Sequence, residues 1–196
     1  MQDPGILEWK GTPVEKIHPD LTRILISRED IQSRVRELAE KISNDYNKVD
    51  RLYMVGILKG AFILMADLTR YLSVPHIVDF MALSSYGKTT TSGAVRILMD
   101  LREPIEGQHV LVVEDIVDSG HTLHYLHQVL GGRNPASLHT CARVRKKRDG
   151  ISVPVDYLGF DIPDVWVVGY GLDYADRYRT LPYVAELKPE VYSPKG

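Results

Sequence analysis

The chain has 196 residues, enough for one compact domain or one domain with a small appendage. Hydrophobic residues make up 44% and charged residues 26%, an ordinary globular balance, and a net charge of −2 exerts no global pull toward nucleic acid or a membrane surface. The single cysteine, Cys141, excludes an intrachain disulfide; with no signal-peptide core and no apolar run near the ~20 residues of a membrane span, the chain reads as a soluble cytoplasmic protein.

Residues 1–24 read as an irregular lead-in, rich in Pro and Gly at first. Ser27 with Asp30 resembles a capping box, and Ile31, Val35, Leu38, Ala39 and Ile42 fall on one helical face. Residues 51–58 (RLYMVGIL) predict a buried strand ended by Lys59-Gly60, residues 61–72 a helix, and residues 74–83 a second strand. The polar run SSYGKTTTSG (84–93) cannot bury a core and predicts a loop or hairpin tip. Strands are then predicted over 94–101 and 109–115, followed by a helix from about Ser119 that turns Leu123, Leu126, Val129 and Leu130 inward and stops at Gly131-Gly132. Residues 136–144 and 165–171 predict two further strands. Strands alternating with helices imply an α/β fold with a mostly parallel twisted sheet, and such sheets bind ligands beyond the carboxyl ends of their strands.

The stretch VLVVEDIVDSGHTL (110–123) lies at such an end. Val110–Val113 are continuously apolar, as a central parallel strand requires. Asp118-Ser119-Gly120-His121-Thr122 then opens a helix whose free N–H groups, dipole and hydroxyls favour one phosphate. Glu114 and Asp115 would repel that phosphate, but carboxylates also accept hydrogen bonds from a sugar diol and hold magnesium. A ligand with a terminal phosphate, a ribose diol and bound magnesium satisfies both halves. Neither GxxxxGK[ST] nor a GxGxxG after a strand occurs, which disfavours a P-loop or a dinucleotide fold.

This run resembles the phosphoribosyl-diphosphate-binding signature of type I phosphoribosyltransferases. ILKGAF (57–62), LSSYG (83–87) and VPVDYLGFDIPDVWVVGYGLDYADRYRTLPYV (153–184) are similar to segments of bacterial hypoxanthine(-guanine) phosphoribosyltransferases. The resemblance covers residues 25–186 as one domain with a small hood formed by terminal segments, and leaves 187–196 as a tail. It implies transfer of a phosphoribosyl group from its diphosphate to N9 of a 6-oxopurine, with Mg2+ as cofactor.

By that resemblance, Glu114 and Asp115 hold the ribose hydroxyls and magnesium, Asp118 is the proton acceptor near purine N7, and Ser119, Gly120, His121 and Thr122 bind the 5′-phosphate. Lys59-Gly60 matches the family's pyrophosphate loop, which often carries a cis peptide, and Arg179 meets the pyrophosphate. Asp173 supports a second magnesium near the purine site. Trp166 stacks on the purine, Val167 offers it backbone groups, and Lys146, with Lys147 as the alternative, donates to O6. Ser85 and Tyr86 fall at the tip of the lid. A homodimer or homotetramer is implied in the same way. His121, His124 and His127 do not share a helical face and predict no zinc site, and the basic run 143–148 is explained by a diphosphate neighbour as well as by nucleic acid. A xanthine- or guanine-preferring enzyme and a non-catalytic RNA-binding regulator are the alternatives.

Overall fold

The computed structural model describes residues 17–85, 95–148 and 154–193. Strand β1 (Leu21–Ile26) leads through Ser27 into helix α1 (Arg28–Asp45). The Ser27 hydroxyl accepts from Asp30 N–H at 3.1 Å and donates to the Asp30 carboxylate at 2.7 Å, a cap worth about 1 kcal/mol. The apolar face named from spacing is the buried face: Ile31, Val35, Leu38, Ala39 and Ile42. Next come β2 (Leu52–Leu58), α2 (Phe62–Tyr71), β3 (His76–Ser85), β4 (Val95–Met99), β5 (His109–Val117), α3 (His121–Gly131), β6 (Ser137–Lys146) and β7 (Tyr157–Ile162). The chain finishes with β8 (Val167–Val168), β9 (Val184–Leu187) and a short turn of helix, α4 (Pro189–Tyr192).

Six strands form the main sheet in the order β4-β3-β2-β5-β6-β7. Every neighbouring pair is parallel except β3 with β4. The run Val110–Val113 explains itself in this setting. Leu111 and Val113 pack with Ile42, Leu64 and Leu68 from α1 and α2, while Val110 and Val112 pack with Leu126 and Leu130 of α3. Both faces are covered, and each such side chain contributes about 1.5–3 kcal/mol. Succession runs from β2 outward to β3 on one side and from β5 outward to β6 and β7 on the other. The switch point lies between β2 and β5, so the crevice opens beyond Leu58 and Glu114.

A second sheet, β1-β9-β8, brings the two ends of the chain together as the hood. Here the structure corrects the sequence reading. Residues 21–26 belong to a strand, although the lead-in was expected to run to residue 24. Only Leu21 and Ile26 are buried in it and the register slips twice, so no alternation marks it in the sequence. The expected tail likewise begins inside β9 and continues as α4, tied back by Lys188 N–H to Asp20 C=O at 2.9 Å. The strand predicted over 165–171 holds only for Val167–Val168, because Gly169, Tyr170 and Gly171 take φ of 100°, 48° and 101°. Strands β7 and β9 were not anticipated. Among the described residues, no helix is long and apolar enough to cross a membrane.

Candidate active site

At the end of β2 the Leu58–Lys59 peptide is cis, and Gly60 lies against the acid of β5. A Cβ at Gly60 would overlap the Asp115 carboxylate, so only glycine allows this approach. Gly60 also meets Gly171: a Cβ there would overlap the Gly60 carbonyl oxygen. Lys59, Gly60, Glu114, Asp115, Ser119, Gly120, Thr122, Asp173 and Arg179 thus share one cavity of about 320 Å³.

Glu114 is 6% exposed. Burial, reinforced by the neighbouring Asp115 charge, pushes its carboxyl well above the usual range. Burial raises Asp115 too, opposed by the Arg143 guanidinium and by Ile116 N–H, which donates to its Oδ1 at 2.8 Å. Two adjacent, undercompensated carboxylates are a donor set that a hard divalent cation would neutralise. Among the described residues no group of three or more protein ligands gathers, so such a cation would take its remaining oxygens from substrate and water.

Asp173 lines this cavity, but both its oxygens are engaged. Oδ1 lies 2.7 Å from Arg179 Nη2, and Oδ2 accepts from Asp176 N–H at 2.8 Å. Arg179 also donates to Gly171 C=O at 2.8 Å and pairs with Asp176 at 2.9 Å. The same Asp176 carboxylate oxygen holds Lys59 Nζ at 2.9 Å. Both cations assigned to the pyrophosphate are therefore parked on one exposed acid. Helix α3 begins at His121, two residues later than expected, with Gly120 (φ 80°) as its N-cap. Ser119, His121 and Thr122 are exposed there, Ser119 Oγ being 3.1 Å from His121 Nδ1. Ser85 ends β3 opposite Val95, whereas Tyr86 lies outside the described residues.

A second cavity of about 460 Å³ shares Asp115, Asp118 and Asp173 with the first and adds Lys146, Arg148, Asp164, Trp166, Val167 and Tyr192. Lys146 is the lysine that enters it. Its Nζ lies 3.1 Å from Asp118 and 3.4 Å from Asp164, while Lys147 is exposed and its N–H donates to Ile162 C=O. Arg148 bridges the same two acids, at 2.7 Å to Asp118 Oδ1 without hydrogen-bond alignment and in a forked pair with Asp164. Trp166 is 49% exposed beside buried Val167.

Sequence reasoning missed Asp164 and Tyr192, and placed Arg143 and Arg148 only within the basic run 143–148, with no role of their own. The β6–β7 register pairs residues 16 apart, as in Arg145↔Asp161; carried past the strand ends, that offset puts Arg148 opposite Asp164. The signal was present but readable only with the pairing known. Arg143 is 1% exposed, and burial pushes its guanidinium down to about 10. One of its nitrogens donates to Tyr170 C=O, and Nε and Nη2 have no hydrogen-bond partner among the described residues. Of the three histidines on α3, His127 shares a proton with Thr140 Oγ1 at 2.7 Å.

The phosphoribosyl transferase domain model matches residues 27–175. The hypoxanthine-guanine phosphoribosyltransferase of Dictyostelium discoideum is 51% identical over 174 residues, 86% of this chain and 97% of that one. The enzyme of the same name from Mycobacterium tuberculosis is 47% identical over 190 residues, 93% and 94% of the two chains. The structure of Trypanosoma cruzi hypoxanthine phosphoribosyltransferase in complex with the product IMP superposes with a TM-score of 0.84 at 42% identity, covering 91% of this chain and 100% of that one. With a sheet switch point, a glycine-opened helix and paired acids in one crevice, and these relatives spanning nearly its whole length, the chain belongs to the phosphoribosyl transferase domain family.

Proposed function

We propose that the protein transfers the phosphoribosyl group of 5-phosphoribosyl diphosphate to N9 of hypoxanthine, and of guanine, releasing pyrophosphate and forming IMP or GMP in purine salvage. The observation that carries this reading is the junction of two cavities at Asp118: one lined by the opening of α3 and the paired acids Glu114 and Asp115, the other by Lys146 and Trp166. Reaction at a sugar carbon between a phosphate loop and a base pocket needs that junction.

The N–H groups opening α3, with Ser119 and Thr122, hold the 5′-phosphate. Glu114 and Asp115 accept from the ribose hydroxyls and would hold magnesium, which when bound offsets charge developing on the departing pyrophosphate. Lys59 and Arg179 exchange Asp176 for the pyrophosphate oxygens, with the Arg179 fork kept in plane by Gly171 C=O. Lys146 donates to the purine O6, a match for a 6-oxo and a mismatch for a 6-amino base. Asp118, set between its two cations, takes the purine proton as N9 becomes nucleophilic. Asp173 serves first as the anchor of Arg179, and contact with a second magnesium requires that pair to open. A homodimer or homotetramer and a cytoplasmic setting accompany this reading.

The test is a magnesium-dependent assay with phosphoribosyl diphosphate and hypoxanthine, guanine, xanthine or adenine. Turnover of hypoxanthine and guanine, none with adenine, is expected. No turnover of any base, with salt-sensitive RNA binding instead, would replace the enzyme by a regulatory homologue.

A further inference from the structure

We propose that Tyr192, on the C-terminal turn, is a positioning residue that clamps Trp166 at the outer wall of the purine pocket; this rests on the purine-site reading above. Trp166 stands beside a two-residue strand and is half exposed, so burial alone does not fix its ring. Two tyrosines do. The Tyr174 ring meets the indole edge-on, with centroids 5.7 Å apart and planes at 84°. The Tyr192 ring packs against it at 5.3 Å with planes only 32° apart, a tilted stack on the indole, and the proposed base takes the opposite face.

Of these two rings, only Tyr192 also lines the cavity that holds Asp118, Lys146 and Val167. Its position is set from both ends of the chain. Lys188 N–H donates to Asp20 C=O at 2.9 Å and Lys188 Nζ to Pro19 C=O at 2.6 Å, just before α4. Within the turn, Val191 N–H donates to Lys188 C=O at 3.0 Å and Ser193 N–H to Pro189 C=O at 2.8 Å. A tyrosine so anchored restrains the indole before any ligand arrives, which lowers the ordering cost of stacking a base.

The experiment compares Tyr192→Ala and Tyr192→Phe with the parent in steady-state kinetics. For Tyr192→Ala, KM for hypoxanthine rises about tenfold while KM for phosphoribosyl diphosphate stays within twofold, since the stacking partner of the base loses its backing ring. Tyr192→Phe keeps the ring and stays near the parent. A hypoxanthine KM within twofold of the parent, or an equal rise in both constants, overturns the proposal, the second because it signals a loosened hood. A readout without turnover is the emission of Trp166 with Trp9 replaced by Phe, so that it is the only tryptophan. Tyr192→Ala shifts that emission to the red and weakens its quenching by IMP. If the parent turns over no base, the functional reading fails, and an unshifted emission maximum then overturns the clamp by itself.

Discussion

Replacing Gly171 by alanine tests how the pyrophosphate side is assembled. Gly171 has φ of 101°, which an L side chain adopts at about 1–2 kcal/mol. Its new Cβ would overlap the Gly60 carbonyl oxygen, and reaching ordinary contact moves one backbone by about 1 Å. Gly171 also exchanges two hydrogen bonds with Arg179, its N–H to Arg179 C=O and its C=O from Arg179 Nη1, each at 2.8 Å. The displacement thus reaches Lys59-Gly60 and Arg179 together. A misplacement of about 1 Å lowers rate roughly 100-fold, so kcat/KM for phosphoribosyl diphosphate falls by about that factor. The thermal midpoint falls by only about 2–8 °C for a chain of this size. Initial-rate kinetics with varied phosphoribosyl diphosphate, beside calorimetry, measure both. A kcat/KM within threefold of the parent would show that the two loops do not depend on this contact.

Asp118→Asn keeps the shape of the junction but removes the proposed proton acceptor; kcat falls about 10²- to 10⁴-fold with the thermal midpoint unmoved, and pre-steady-state product formation checks that chemistry has slowed. Glu114→Gln stabilises the magnesium-free protein at neutral pH. Because the folded-state carboxyl of Glu114 titrates above its unfolded value, its stabilising contribution is full below the ordinary carboxylate range and is lost as pH rises through the folded value. Denaturant midpoints measured against pH in chelator should fall with rising pH in the parent and less in the variant. Cys141 is buried, its thiol pushed up to about 12, so a disulfide reagent should titrate it only after unfolding.

The central strand and the helix it opens were legible because Val110–Val113 bury both faces, a demand that only continuous apolar residues meet. Lys146 was chosen with Lys147 as the alternative, and the structure turns the Lys146 side chain into the cavity and leaves Lys147 exposed. The hood was named through the family resemblance alone, and its strand pairing was opaque. Its pairings join Leu21 to Leu187 and Ile26 to Val184, and no local period encodes a partner so far along the chain. Arg143 was hidden differently: RVRKKR reads as surface charge, yet its first arginine is almost wholly enclosed.

That distant pairing orders events in time. Pairing Leu21 with Leu187 closes a loop far longer than pairing Leu52 with His76, at an extra entropic cost of about 1.7 kcal/mol. During synthesis the phosphate-binding crevice between β2 and β5 can form while the hood still lacks β9. The proposed purine wall, with Trp166 and Tyr192, waits for the last strand to dock. Under mild denaturant the sequence should run in reverse, base recognition fading while the sugar-diphosphate crevice persists, so the two substrates report on two cooperative units of one chain.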